Sequence, residues 1–102
     1  MNQIQQHIRA ITELCIKHRV KSLFAFGSVT RNELKPQSDI DLLVDIDADD
    51  PLDYSDNYFG LKMHLEKLLG RKVELLEQRA LNNKFLNKYI DDTKVIICGK
   101  GY

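Results

Sequence analysis

The amino-acid sequence predicts an α/β fold, in which a short mixed sheet carries helices on one face and leaves the other face open. Segments with apolar residues at helical spacing alternate with short apolar runs that have the length of strands. In the second of these runs acidic residues alternate with apolar ones, so one sheet face is predicted to be acidic and open. The 102 residues suffice for one domain, residues 1–102, with a modest core.

The predicted elements follow one another without a linker or a repeat. In order, they are a helix over 2–17, a strand over 21–26, a short helix over 28–34, a strand over 38–46, a helix over 52–69, a strand over 71–76, a helix that begins after Asn82 or Asn83, and a strand over 94–98. The helices over 2–17 and 52–69 are predicted to cover one face of the sheet. Residues 99–102 are predicted to form a loose tail.

Local signals justify the boundaries of these elements. Pro36 keeps the residues after the short helix in a loop, because proline lacks a backbone N–H donor. Asp50 is a typical N-cap, and Pro51 suits the first position of the helix that follows. Gly70 suits the left-handed position just beyond the end of that helix. The first helix is supported by apolar residues at helical spacing, namely Ile4, Ile8, Ile11, Leu14 and Cys15.

Two short motifs stand at neighbouring strand ends. Gly27 and Ser28 close the first strand, and Asp39 and Asp41 open the second. Strand alternation places the two carboxylates on one face, where they repel each other unless a hard cation such as Mg²⁺ lies between them. Gly27 lets backbone N–H groups approach an anion closely, Ser28 adds a hydroxyl donor, and Arg31 adds a cation. The two motifs together predict metal and phosphate binding side by side.

Each motif is common by itself, but the combination is specific. Gly-Ser occurs in many turns, and Asp-x-Asp occurs at many solvated strand ends. With ten residues between Ser28 and Asp39, the pair resembles the signature of the nucleotidyltransferase superfamily that includes DNA polymerase beta. The run from Ser38 to Val44 is most similar to the minimal nucleotidyltransferases, small proteins often paired with HEPN-domain toxins. The resemblance in length and element order covers nearly the whole chain and implies a nucleotidyltransferase-like fold.

The resemblance also implies a third carboxylate, which the family takes from the next long strand, usually as Asp. Glu74 stands at that position, and strand alternation allows it to share the open face with Asp39 and Asp41. It would help to hold metal and take the proton from the attacking hydroxyl. Glu is one methylene longer than Asp, which is expected to affect the rate more than the binding. Asn32 stands where many relatives have Gly, and Asn tolerates a left-handed backbone.

The function implied by the resemblance is transfer of AMP from ATP to a tyrosine hydroxyl of a HEPN-type ribonuclease toxin, with this chain as the antitoxin. The implied cofactor is Mg²⁺. The residues implied for catalysis and metal binding are Asp39, Asp41 and Glu74, and those implied for nucleotide binding are Gly27, Ser28 and Arg31. A non-catalytic antitoxin that covers its partner's active site is an open alternative. Transfer to a small molecule such as an aminoglycoside is a third, which the lack of room for a second domain disfavours.

The composition bears on partners and location. Fifteen basic and fifteen acidic residues give a formal net charge of zero, so no overall basic field supports nucleic-acid binding. The first residues do not form a signal peptide and no apolar stretch approaches membrane-spanning length, so a cytoplasmic protein without membrane contact is predicted. Cys15 and Cys98 lie far apart in apolar patterns and are predicted to be buried, reduced thiols.

Overall fold

The computed structural model describes residues 1–99, which form one four-stranded sheet with helices on both of its faces. The elements are α1 (Asn2–Gln5), α2 (Ile8–Lys17), β1 (Val20–Phe26), a 3₁₀ helix (Gly27–Arg31), β2 (Ile40–Ile46), α3 (Pro51–Leu69), β3 (Val73–Glu77), a 3₁₀ turn (Gln78–Ala80), α4 (Lys84–Thr93) and β4 (Val95–Gly99). The predicted α/β class with a mixed sheet is confirmed. Within residues 1–99, no helix combines the length and apolar character that crossing a membrane requires.

The order of the strands across the sheet is β3-β2-β1-β4. β1 runs antiparallel to both of its neighbours, whereas β2 and β3 run parallel. A parallel pair needs a crossover connection, and α3 supplies it. This topology places the end of β1 beside the beginnings of β2 and β3, where the predicted phosphate and metal motifs lie.

One face of the sheet is covered by α2 and α3, as predicted. The main core lies between these helices and the strands, with Ile11 and Leu61 fully buried against the side of the sheet that carries Leu42 and Val44. Burial of side chains of this size supplies about 1.5–3 kcal/mol each relative to exposure. The core therefore fixes β2 from behind and leaves its odd-numbered residues for the opposite face.

The predicted helix over 2–17 is wrong in one respect, because it is two helices. A turn at Gln6 and His7 separates α1 from α2, and the backbone of His7 leaves the helical region with φ −114° and ψ 18°. The turn rotates Ile8, which the apolar pattern assigned to the core, so that it is 39% exposed while Ile4 remains buried. Sequence periodicity does not detect this break because the spacing is helical on both sides of it.

The second face is only partly open. α4 packs on it through Ile90 and forms a small second core with Phe24, Phe26 and Leu43. The sequence predicted this helix and its cap, and the Asn83 side chain does accept hydrogen bonds from the backbone N–H groups of the first turn. It did not predict where the helix would pack. The carboxylates at the beginnings of β2 and β3 remain accessible on this face, since Asp41 is only half-buried and Glu74 is exposed.

Three other local predictions can be compared with the structure. The Asp50 side chain caps α3 by accepting a hydrogen bond from Asp53 N at 3.1 Å, and Pro51 is the first helical residue, as predicted. Gly70 takes the left-handed conformation beyond α3, with φ 65°. The loose tail is wrong at Gly99, which ends β4 and pairs with Ser22 of β1. The remainder of the predicted tail, residues 100–102, lies outside the described residues.

The prediction of two reduced thiols is also wrong in this structure. Cys15 of α2 and Cys98 of β4 are joined by a disulfide, across a sequence separation of 83 residues. α2 packs over both β1 and β4, which brings the two cysteines together on the core side of the sheet. Their separation in the sequence concealed this proximity, because nothing local in the sequence indicates which strand pairs with the outer edge of β1.

Candidate active site

The candidate site is built around the turn that leaves β1 at Gly27. Gly27 is buried and adopts φ 75°, a conformation that favours glycine. Ser28 follows it in the 3₁₀ helix and is half-buried, while Arg31 is exposed. The helix ends at Asn32, which takes the left-handed conformation with φ 56°. The turn therefore forms with Asn at the position where many relatives have Gly, as expected.

The carboxylates lie beside this turn. Asp41 stands opposite Phe26, the last residue of β1, and beside Glu74 in the parallel register of β2 and β3. Asp39 precedes β2 by one residue, and it is half-buried like Asp41, whereas Glu74 is exposed. The structure thus brings the three predicted acidic residues to one end of the sheet, where Asp41 of β2 lies between β1 and β3.

The electrostatics of Asp41 reflect this position. Burial raises the pKa of the Asp41 carboxyl above its ordinary value, and the negative charges of Glu74 and Asp39 raise that pKa further. A bound cation would offset both effects, because it replaces lost solvation and neutralises the neighbouring charge. The donor set consists of carboxylate oxygens, which suit Mg²⁺.

The three carboxylates do not form a complete metal cage by themselves. Within residues 1–99, no group of three or more Asp, Glu, His or Cys side chains is arranged to hold a metal ion. Mg²⁺ usually takes only one or two carboxylates and completes its shell with water and substrate phosphates. Asp39 and Asp41 would therefore hold it at the sheet end, with Glu74, the exposed carboxylate beside Asp41, as a further candidate ligand.

The turn and the carboxylates are in direct proximity. A Cβ atom built on Gly27 would lie 3.0 Å from Asp41 Oδ2, so the glycine leaves room for that oxygen beside the backbone. A nucleotide whose phosphates meet the Gly27 turn would therefore have the Asp41 carboxylate within reach. An anion at the turn and a hard cation on the carboxylate would then lie next to each other.

Two residues of α4 also reach the turn, and sequence reasoning did not assign them to the site. The same Cβ position on Gly27 lies 3.0 Å from the hydroxyl oxygen of Tyr89. Gly27 N donates a hydrogen bond to Thr93 Oγ1 at 3.0 Å. Tyr89 lies at helical spacing from apolar residues of α4 such as Phe85 and Leu86, and no local signal distinguishes a residue of such a stripe that meets a turn from one that meets the core.

Comparison with known proteins identifies the family. Residues 9–101 match the family model described as "Polymerase beta, Nucleotidyltransferase". The chain belongs to this nucleotidyltransferase family. It is therefore an enzyme, and the four-stranded mixed sheet with its helices is the fold of this family.

Individual relatives agree with this assignment. The chain is 35% identical over 71 residues to protein adenylyltransferase MntA of Thermococcus cleftensis. The aligned region covers 70% of this chain and 69% of that protein. It is 36% identical over 81 residues to a Methanocaldococcus jannaschii protein that bears the provisional name protein adenylyltransferase, covering 79% of this chain and 80% of that protein.

Solved structures show the same fold. A structure described as a minimal nucleotidyltransferase superposes with a TM-score of 0.75 and 30% identity, covering 92% of both chains. A toxin–antitoxin complex with AMP-PNP gives a TM-score of 0.70 at 20% identity, covering 91% of this chain and 73% of that one. A chain from the complex of a tri-AMPylated Shewanella oneidensis HEPN toxin with an MNT antitoxin gives 0.64 at 19% identity, covering 94% and 72%.

The environment of Asp41 leads to a prediction for the metal-free protein. Asp41→Asn is expected to raise the melting temperature at neutral pH, because it removes a desolvated charge that Asp39 and Glu74 repel. Folding raises the pKa of this carboxyl, so the folded protein retains the proton to higher pH than the unfolded chain does. The destabilisation is thus absent below the unfolded-state pKa and develops as the pH rises through the folded-state pKa.

Thermal unfolding in the presence of a chelator, at a series of pH values, measures this effect. The gain in stability is expected to shrink as the pH falls toward about 4, the ordinary pKa of Asp, and to be absent below it. The matched control is Asp47→Asn, which neutralises an exposed carboxylate just beyond β2 and is expected to have little effect on the melting temperature at any pH of the series. A variant at position 41 that is less stable than the wild type at neutral pH would contradict the prediction.

Proposed function

We propose that this enzyme transfers AMP from ATP to a tyrosine hydroxyl of a partner protein and depends on Mg²⁺. The observation that carries the proposal is the contact between the two halves of the site. The Asp41 carboxylate lies beside the Gly27 turn, and its pKa is raised by burial and further by the charges of Glu74 and Asp39. Such a group of mutually repelling carboxylates next to an anion-binding turn is costly for the protein unless a cation binds there.

Each residue has a role in this proposal. Gly27 and Ser28 bind the phosphates through backbone N–H and hydroxyl donors, and Arg31 adds positive charge at the rim. Asp39 and Asp41 hold Mg²⁺, which supplies charge neutralisation and orients the reacting groups when bound. Glu74 takes the proton from the acceptor hydroxyl as its oxygen bonds to the α-phosphorus and the bond to pyrophosphate breaks.

The acceptor and the partner are proposed from the relatives. One structural neighbour is a complex in which a HEPN toxin is tri-AMPylated and bound to an MNT antitoxin. We extend that pairing to this chain, as an antitoxin that silences a HEPN-type ribonuclease by modifying a tyrosine. The open end of the sheet at the exposed Glu74 leaves space for an acceptor side chain to enter.

One observation favours a second candidate function. Glu74 is exposed and longer than the Asp usual at this position, and the three carboxylates do not enclose a metal site in advance. An antitoxin that works by covering its partner's active site needs neither an Asp at this position nor a preformed metal site. The two candidates differ in stoichiometry, because an enzyme modifies many partner molecules whereas a covering protein neutralises one at a time.

The test uses a HEPN-type ribonuclease as the partner, sought first in the reading frame next to this one and purified separately. With Mg²⁺ and ATP, a substoichiometric amount of this protein is expected to silence the partner's ribonuclease activity and to add nucleotide mass to a tyrosine. The silencing is expected to persist after this protein has been removed. Silencing that requires equal amounts, ignores ATP and leaves the partner mass unchanged would favour occlusion and exclude the transfer mechanism.

The phosphate role of Ser28 gives a separate prediction. Ser28→Ala is expected to weaken Mg²⁺–ATP binding by about 1.5–3 kcal/mol, which is about tenfold to a hundredfold in Kd, because one charge-assisted hydrogen bond is lost. Isothermal titration calorimetry measures the change. Ser55→Ala, which removes a hydroxyl from α3 in the layer behind the sheet, is the matched control and should retain wild-type affinity. Equal affinities for wild type and Ser28→Ala would mean that the phosphates do not meet this turn.

A further inference from the structure

α4 presents a hydroxyl group at the same point where Asp41 meets the turn. The Cβ position on Gly27 lies 3.0 Å from Tyr89 Oη and 3.0 Å from Asp41 Oδ2, so these two oxygens are at most about 6 Å apart by the triangle inequality. Tyr89 is 40% exposed, so part of the residue faces solvent. A phenol hydroxyl at this place can donate a hydrogen bond to an anion that binds the turn.

The Tyr89 ring is held in place on two sides. Phe26, the last residue of β1, contacts it edge to face with 6.4 Å between ring centroids. The Arg31 guanidinium lies 5.5 Å from the Tyr89 ring centroid, within the range of a cation–π interaction. The ring therefore links the last residue of β1 to the Arg31 side chain, with the Tyr89 hydroxyl beside the turn.

Thr93 lies one helical turn after Tyr89 in α4 and accepts a hydrogen bond from a backbone donor at Gly27. Its Oγ1 accepts the hydrogen bond from Gly27 N at 3.0 Å and donates to the carbonyl oxygen of Tyr89 at 2.9 Å. Gly27 is buried, so its N–H group would lose a partner if the hydroxyl were removed. In the nucleotide-free protein, Thr93 thus accepts the hydrogen bond that the Gly27 N–H group could otherwise donate to a phosphate.

We propose that α4 completes the triphosphate site: Tyr89 donates a hydrogen bond to the pyrophosphate part of the nucleotide, and Thr93 holds the Gly27 N–H until the phosphate replaces it. The inference rests on the proposed function. It assigns opposite effects to two neighbouring side chains. The Tyr89 hydroxyl strengthens nucleotide binding, whereas the Thr93 hydroxyl competes with the nucleotide for one backbone donor.

The position of Tyr89 argues against its being an acceptor of the nucleotide. In an in-line displacement, the attacking and leaving oxygens lie on opposite sides of the phosphorus. The Gly27 turn holds the leaving pyrophosphate in the proposed function, and the Tyr89 hydroxyl lies on that same side. It can therefore stabilise the leaving group, but it cannot approach the α-phosphorus from the side opposite to it.

The experiment measures affinities rather than turnover. Calorimetry with AMP-PNP and Mg²⁺, and separately with inorganic pyrophosphate, compares the wild type with Tyr89→Phe, Thr93→Val and Thr93→Ser. Tyr89→Phe keeps the ring between Phe26 and Arg31 and removes only the hydroxyl. It is expected to weaken both ligands by about tenfold to a hundredfold, the value of one hydrogen bond to a charged group.

The threonine variants test the competition. Thr93→Val keeps the β-branched shape and leaves the Gly27 N–H without a protein partner, so it is expected to tighten both ligands by roughly threefold to tenfold. Thr93→Ser retains a hydroxyl and is expected to bind both ligands with wild-type affinity. Tyr54→Phe is the control for loss of a phenol, because Tyr54 lies on α3 against the main core, with Arg79 4.1 Å from its ring centroid. Thermal unfolding verifies that each variant is folded.

Several outcomes would overturn the inference, and one of them concerns the proposed function as well. Unchanged affinity in Tyr89→Phe would exclude the donor role, and weaker binding in Thr93→Val would exclude the competition. Incubation of the wild type with ATP and Mg²⁺ that places nucleotide on Tyr89 would show an acceptor instead of a donor. If the wild type itself binds neither AMP-PNP nor pyrophosphate, the proposed function fails together with the inference, whereas equal binding by all variants removes the inference alone.

Discussion

Asp39→Asn is expected to reduce nucleotidyl transfer to the partner by about a thousandfold or more, the scale seen when a principal source of electrostatic stabilisation is removed from a reaction site. The amide is a poorer metal ligand than the carboxylate, and it leaves Asp41 as the only carboxylate of the pair. The fold should be unaffected, because Asp39 lies just before β2 and outside the buried core. Intact-mass spectrometry of the partner, with limiting enzyme and excess ATP, measures the product.

Asp49→Asn is the matched control, since it neutralises an exposed carboxylate in the segment between β2 and α3. It is expected to transfer at the wild-type rate. Calorimetry with Mg²⁺–ATP should also show weaker metal-dependent binding in Asp39→Asn. A partner that is left unmodified and is nevertheless fully silenced by the Asp39→Asn protein would refute the enzyme mechanism and leave occlusion as the function of the complex.

Gly27→Ala is expected to reduce transfer by about a hundredfold or more while lowering stability by only about 1–2 kcal/mol. The stability cost arises from φ 75°, which an L-residue adopts unfavourably. The added methyl would lie 3.0 Å from both Asp41 Oδ2 and Tyr89 Oη, which are ends of side chains that can move aside. Their displacement, together with a methyl group in the path of the phosphates, should disrupt the site more than the fold.

Gly70→Ala separates these two effects. Gly70 also has a left-handed backbone, with φ 65°, but a Cβ atom there would meet nothing within 4 Å. It lies at the end of α3, so its substitution is expected to cost similar stability and leave transfer unchanged. Chemical denaturation and the transfer assay are compared for both variants. Equal activity in the two proteins would show that the close approach at Gly27 is unimportant for the reaction.

The sequence was sufficient wherever one residue determines the local backbone. Asp50 and Gly70 mark the two ends of α3, and the structure has them there because a capping carboxylate and a left-handed glycine each satisfy local hydrogen bonds. The placement of Glu74 on the same face as Asp41 was also predictable, because the family resemblance pointed to the strand and alternation along it gave the face; the parallel register that pairs the two residues was not predicted.

The sequence was insufficient wherever distant segments meet. Tyr89 and Thr93 reach the turn at Gly27 only because α4 packs across the end of β1, and an apolar stripe does not specify which surface it will contact. The Cys15–Cys98 disulfide likewise depends on the placement of β4 at the edge of the sheet. In each case the decisive distance is set by tertiary packing rather than by any residue within a few positions.

The pairing of β4 with β1 has a consequence for how the chain folds. Leu23 and Phe24 in the first strand pair with Cys98 and Ile96 in the last one, so the sheet joins segments that are synthesised at opposite ends of the described chain. Contacts of such wide sequence separation are slow to form, because the loop between them must be closed first. While the chain is on the ribosome, one edge of β1 is a row of unpaired backbone groups. That edge remains open to wrong partners until β4 has emerged.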